Sequence, residues 1–141
     1  MAFLPTRKPL CMVNIIMICR AVIVDRSILA INMYRLLLSP MITTFLVFKR
    51  YEQARPFFFR RDKPNLAIVN SNTFGKKFDK YYDHFSKDEP LKDIPKIFLC
   101  REMEEEWRAR LEKLSGSTVV TRPFHPDVFL DLIRCITEER R

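Results

Sequence analysis

Five short runs of apolar, mostly β-branched or aromatic residues punctuate the chain: RAVIV at 20–24, TTFLV at 43–47, LAIV at 66–69, KIFLC at 96–100 and TVVT at 118–121. Charged or turn-forming residues bound each run. Near-continuous Val, Ile, Leu and Phe content marks strands covered on both faces. Between them apolar residues recur every three to four positions, the period of a helix packed on one side. Ser27 caps the first of these helices, where Leu29, Met33, Leu36 and Leu37 share a face and Pro40 is the stop. The second spans 49–61 and contains Pro56, so a kink or a short start is expected. The third, 72–86, carries the aromatic stripe Phe74, Phe78, Tyr81, Tyr82 and Phe85, which should pack on the sheet. The fourth, 101–114, places Met103, Trp107, Leu111 and Leu114 on one face and the pairs Glu104–Arg108 and Glu106–Arg110 on the other. Pro126 opens the fifth, which carries Val128, Phe129, Leu132, Ile133 and Ile136.

Strand and helix alternating five times predict an α/β domain, a (βα)5 unit with a doubly wound parallel five-stranded sheet. A chain of 141 residues suits one such domain. No repeat, low-complexity segment or linker divides it. Residues 1–16 read as an N-terminal extension or an over-long start, and 17–141 as the single domain. The apolar run from Pro9 to Cys19 is shorter than the ~20 residues that span a bilayer, and no small-residue cleavage site follows it.

Composition narrows the chemistry. Only two glycines, Gly75 and Gly116, exclude a glycine-rich phosphate loop. Lys and Arg number 25 against 17 Asp and Glu, a net charge of +8. That excess favours nucleic acid, anionic lipid or an acidic protein face as partner, or serves solubility alone. The densest basic segment, 49–63, holds Lys49, Arg50, Arg55, Arg60, Arg61 and Lys63 around Phe57, Phe58 and Phe59, rings that could stack on bases but are expected in the core. Cys11, Cys19, Cys100 and Cys135 show no CxxC spacing and are expected as buried thiols of a cytoplasmic protein. His84 and His125 lie far apart without partners at ligand spacing, so no metal or other cofactor is expected.

Ligands of open parallel sheets bind beyond the carboxyl ends of the strands. Asp25, Arg26, Asn70, Cys100 and Arg122 fall there. The stretches AVIVDRS, PNLAIVNSNTFG, IPKIFLC and VVTRPFHPDVF resemble, in order and separation, the four signature regions of the response-regulator receiver domain. The likeness covers about 17–138. It implies a flavodoxin-like sheet of order 2-1-3-4-5 and a place in two-component, phosphorelay-type signalling.

In that family an acidic pair follows the first strand and a phosphoacceptor aspartate ends the third. A Ser or Thr ends the fourth, and a Lys before a cis proline ends the fifth. The carboxylates hold Mg²⁺, which offsets charge on the transferring phosphoryl group. Asp25 keeps the first acid. Arg26, Asn70, Cys100 and Arg122 replace the second acid, the phosphoacceptor, the hydroxyl and the lysine, while Pro123 and Phe124 stay. An amide is a poor nucleophile, Arg26 removes an oxygen ligand and adds a positive charge, and Cys100 is a weak donor. Val119 occupies the place of the family's switch aromatic.

The resemblance therefore implies a pseudo-receiver, a non-catalytic domain that acts by protein contact: either Arg26 or Arg122 pairs with Asp25, or Arg122 holds the Asn70 amide, or the changes are drift in a surface cleft with no replacement role. The expected partner surface is the fourth helix, fifth strand and fifth helix, with Glu102, Glu105, Arg108, Arg110, Val119 and Phe129. A second copy of the chain and nucleic acid are further partners left open, and a basic nucleic-acid or membrane-surface binder is the alternative reading. No histidine neighbours Cys100 in sequence to make it a thiolate nucleophile, and an enzyme is not expected.

Overall fold

The computed structural model describes residues 18–139. The extension 1–16, with Cys11, lies outside them, as does the side chain of Cys19. Along the chain run β1 (Ile18–Val24), α1 (Ile28–Leu38), β2 (Ile42–Phe48) and α2 (Tyr51–Ala54), which tightens into a 3₁₀ turn at Arg55–Phe59. Next come β3 (Leu66–Asn70), two 3₁₀ turns at Ser71–Thr73 and Gly75–Lys77, and α3 (Phe78–Lys87). A single helical turn at Glu89–Lys92 leads to β4 (Lys96–Arg101), α4 (Glu105–Leu111), β5 (Ser117–Arg122) and α5 (Pro126–Glu139). The strands form one sheet of order β2-β1-β3-β4-β5 in which every neighbouring pair is parallel, as expected.

Alternate strand residues feed two apolar layers. Val22, Val24, Ala67, Val69, Phe98 and Cys100 meet Tyr51, Phe58, Phe74, Phe78, Tyr81, Phe85 and Leu111 under α2, α3 and α4. Ala21, Ile23, Leu66, Ile68, Ile97 and Leu99 meet Ala30, Tyr34, Leu38, Phe129 and Ile133 under α1 and α5. The aromatic stripe of α3 is core: Tyr81 lies 4.7 Å from Tyr51, Phe85 meets Phe98 edge-on at 5.1 Å, and Phe78 stacks on Trp107 at 4.5 Å between ring centres.

Several helices depart from their sequence patterns. Ser27 caps α1 through its Oγ, which accepts from the Ala30 N–H at 3.1 Å. The inward stripe of α1 is Ala30, Tyr34 and Leu38, whereas Leu29 and Leu36 stand 83% and 79% exposed. Small Ala30 weighs little in a hydrophobic pattern, so the leucines beside the true stripe dominate it. In the second helix Pro56 has no N–H to give the Glu52 carbonyl, and the chain closes as 3₁₀. The fourth helix starts only at Glu105 because β4 runs on through Arg101, which leaves Met103 in an exposed loop. Its expected i,i+4 pairs do not form. Glu104 precedes the helix and takes the Arg101 N–H at 2.9 Å, while Arg108 reaches Thr121 Oγ1 at 3.2 Å and Arg110 pairs with Asp79 of α3 at 2.8 Å. Cys100 is buried, but Cys135 is exposed on α5.

The basic segment 49–63 is not one patch. β2 and β3 run parallel, so the chain between them must return from the carboxyl end of one to the amino end of the other. Lys49 and Arg50 therefore stand at one rim of the sheet, and Arg60, Arg61 and Lys63 at the other. Phe58 is core, Phe57 lies half-buried under the Arg60 guanidinium at 4.2 Å, and Phe59 is 51% exposed beside Arg55.

Candidate functional site

Asp25 leaves β1 into the carboxyl-end crevice, its N–H bonded to the Phe48 carbonyl at 3.0 Å, and only 2% of it reaches solvent. A carboxylate in such a place is costly unless donors surround it. Oδ1 accepts from the Ser27 N–H at 3.0 Å and from Asn70 Nδ2 at 3.3 Å, and Oδ2 accepts from the Tyr34 hydroxyl at 2.8 Å. Burial, then the charge of Asp25, pushes the Tyr34 pKa well above its ordinary value, while Arg122 acts weakly the other way.

Asn70, at the end of β3, is also buried. Its Oδ1 accepts from the Asn72 N–H at 3.0 Å while Nδ2 faces Asp25, and its backbone carbonyl accepts from Thr73 Oγ1 at 2.7 Å. A carboxylate on one side and an N–H on the other leave the amide a single sensible orientation. Ser71 Oγ lies 3.2 Å from the Leu99 carbonyl and 3.1 Å from Glu104 Oε1, which ties the β3 end to the β4–α4 loop.

Sequence reasoning places Asp25 and Asn70 together, and they are in contact. It misplaces the arginines. Neither Arg26 nor Arg122 forms an ion pair with Asp25: the former is exposed, the latter half-buried, and three donors already serve the carboxylate. Cys100 is wholly buried in the layer under α2, α3 and α4, and burial pushes its thiol pKa up while a side-chain hydrogen bond with Ser71, the neighbour of Asn70, acts the other way. Arg122 precedes a cis peptide bond to Pro123, as the resemblance implies. The residue that sequence reasoning missed is Tyr34. Its signal is a hydroxyl-bearing ring on an inward helical face, where the O–H must find a partner.

Of the expected partner surface, Glu102 and Glu105 are exposed. Val119 is half-buried and packed against the core, and Arg108 and Arg110 are held by Thr121 and Asp79. Phe129 is wholly buried, 5.8 Å from Tyr34 and 5.2 Å from Phe124 between ring centres, and so belongs to the core rather than to a contact surface.

Solved structures supply the context. A signal receiver domain of an HD domain-containing protein from Pseudomonas fluorescens Pf-5 superposes with a TM-score of 0.70 at 16% identity, over 87% of this chain and 89% of that one. The N-terminal receiver domain of a response regulator from Bacteroides fragilis gives 0.68 at 12%, over 84% and 95%. A response regulator from Thermotoga maritima gives 0.65 at 16%, over 84% and 97%. The fold is that of a receiver domain. No family model and no curated protein matches the sequence.

The receiver fold usually supports a Mg²⁺ site at these strand ends, and the residues of this chain do not fit one. A hard cation needs several oxygen ligands. Asp25 is the sole carboxylate among the five pocket positions, both its oxygens already accept hydrogen bonds, and Arg26 brings a positive charge. Among the described residues no group of three or more His, Cys, Asp or Glu side chains gathers in a metal-holding arrangement, and no helix is long and apolar enough to cross a membrane.

Proposed function

We propose that this receiver fold is a pseudo-receiver, a signalling domain of the two-component type that does not take up a phosphoryl group and acts through protein contact. The observation that carries the reading is the hydrogen bond from Asn70 Nδ2 to Asp25 Oδ1 at 3.3 Å. At the place of the phosphoacceptor stands a neutral amide whose nitrogen faces the one surviving acid and whose oxygen is committed to the Asn72 N–H. The oxygen already accepts the Asn72 N–H, and an amide is a weak nucleophile that the family's phosphoryl transfer does not suit. Asp25 is served by three neutral donors of its own chain, the Ser27 N–H, the Tyr34 hydroxyl and Asn70 Nδ2. The exposed contact positions are Glu102 in the β4–α4 loop and Glu105 at the start of α4.

Incubation with acetyl phosphate and Mg²⁺, followed by intact-mass spectrometry, tests this. An unchanged mass is expected. Stoichiometric addition of a phosphoryl group overturns the reading.

A further inference from the structure

Leu29, Ala30 and Met33 of α1, Met103 of the β4–α4 loop, and Pro123 and Phe124 after β5 wall an open cleft of ≈ 770 Å³ at the strand ends. Small-molecule sites are of this size, about 300–1,000 Å³, and combine apolar walls with a few convergent polar groups. Leu29 and Met103 are 83% and 79% exposed, and methionine side chains adapt to irregular apolar shapes.

Three charges share the lining: Arg101, Glu102 and Arg122. Arg101 is partly engaged by Glu104 at 3.5 Å, whereas Arg122 has no ion pair among the described residues. The acid that would compete for Arg122, Asp25, is withdrawn into its bonds with Tyr34, Ser27 and Asn70. The cleft thus presents one uncommitted guanidinium against apolar walls. A guanidinium fork matches a carboxylate through two parallel hydrogen bonds. Glu102 in the same lining opposes a dianion such as phosphate.

We propose that this cleft binds an amphipathic monocarboxylate, its head on Arg122 and its apolar body between Leu29, Met33, Met103 and Phe124. The site goes beyond the proposed loss of phosphorylation and does not depend on it, since neither Asn70 nor Asp25 is asked to react.

Calorimetric titration and thermal melting of the full chain with decanoate, below its micellar concentration, test the assignment. Saturable one-site binding with a raised melting temperature is expected. Decanol, which keeps the body and lacks the charge, and inorganic phosphate, which has charge without the body, should each bind at least about tenfold more weakly. Arg122→Gln should weaken decanoate by about tenfold or more and leave decanol unchanged, with Arg122→Lys between. Lys113→Gln, remote from the cleft, should match the parent chain. Absent saturation, equal binding of decanol, a lowered melting temperature, preference for phosphate, or undiminished binding by Arg122→Gln each overturns the proposal. Circular dichroism secures the comparison; if Arg122→Gln does not fold, Arg122→Lys and the decanol comparison decide.

Discussion

The Tyr34 hydroxyl donates to Asp25 Oδ2 over 2.8 Å between two residues that are 1% and 2% exposed. Helix α1 is thereby pinned to the end of β1 at its second turn, while Ser27 pins its first turn by accepting from Ala30 and donating its own N–H to Asp25. One buried carboxylate organises the entry to the helix, and the rotation of α1 that turns Tyr34 inward also turns Leu29 outward to the cleft rim.

Tyr34→Phe removes only the hydroxyl and keeps the ring against Phe129. Asp25 Oδ2 then loses a donor in a buried site, a loss of about 1–3 kcal/mol. Urea unfolding should show a lower midpoint with an unchanged slope. A double-mutant cycle with Asp25→Asn should give a coupling of roughly 0.5–3 kcal/mol. A cycle that closes to zero would show that the two groups do not support one another.

Asn70→Asp sets a second carboxylate where Nδ2 now lies 3.3 Å from Asp25 Oδ1. Repulsion holds the new acid's pKa above its unfolded value, so the loss of stability should grow as pH rises toward neutrality. Adding Arg26→Asp supplies a third carboxylate and removes a positive charge, an arrangement that suits Mg²⁺. The double variant should be stabilised by Mg²⁺, by about 2.7 kcal/mol at a hundredfold excess over its dissociation constant, and the parent chain should not. Equal melting curves with and without Mg²⁺ would mean that the three positions do not converge.

The fold was legible because five apolar runs in a parallel sheet carry their own signal, independent of what packs on them. Ile97, Phe98, Leu99 and Cys100 read as a strand buried on both faces, and each is wholly buried. Helix faces were harder. In α1 the inward stripe runs through alanine and tyrosine, and no hydrophobic count selects those over Leu29 and Leu36. The pocket positions were legible by resemblance, but their pairing was not. A charge rule brings Arg122 to Asp25, whereas burial favours the neutral donors Tyr34 and Asn70, which satisfy the carboxylate without desolvating a guanidinium. Sequence order likewise made one patch of 49–63, and only the parallel crossover separates its ends.

Lys96 opens β4 at 0% exposure, and its ammonium donates to the Leu91 carbonyl at 2.6 Å and the Ile94 carbonyl at 2.9 Å. These carbonyls belong to the helical turn and loop that lead into the strand, where the chain has no regular ladder of its own. Lys96→Met keeps the length of the stem and deletes the donors, leaving buried acceptors unserved at a cost of about 1–3 kcal/mol. Hydrogen exchange should report the loss first in 89–95, ahead of β3. A variant as stable as the parent would assign the ammonium no structural part.

His84 gives the domain an acid-side sensitivity. Its ring sits in the last turn of α3, 5.9 Å from Tyr51 and 6.0 Å from Tyr81 between centres, with a buried Nδ1 that has no hydrogen-bond partner among the described residues. Burial first, then the charge of Arg55, lowers its pKa; Lys80 acts the same way, and Asp88 and Asp83 oppose it. The folded state therefore binds this proton less readily than the unfolded chain, whose histidine titrates near ~6.5. Above that pH both states leave the ring neutral and the contribution is complete. As pH falls below it the unfolded state gains protons first, and stability drops through the folded-state pKa. His84→Phe keeps an aromatic ring against Tyr51 and cannot titrate, so its melting temperature should fall less than that of the parent between about pH 7 and pH 5. Parallel curves for the two proteins across that window would remove His84 as the source.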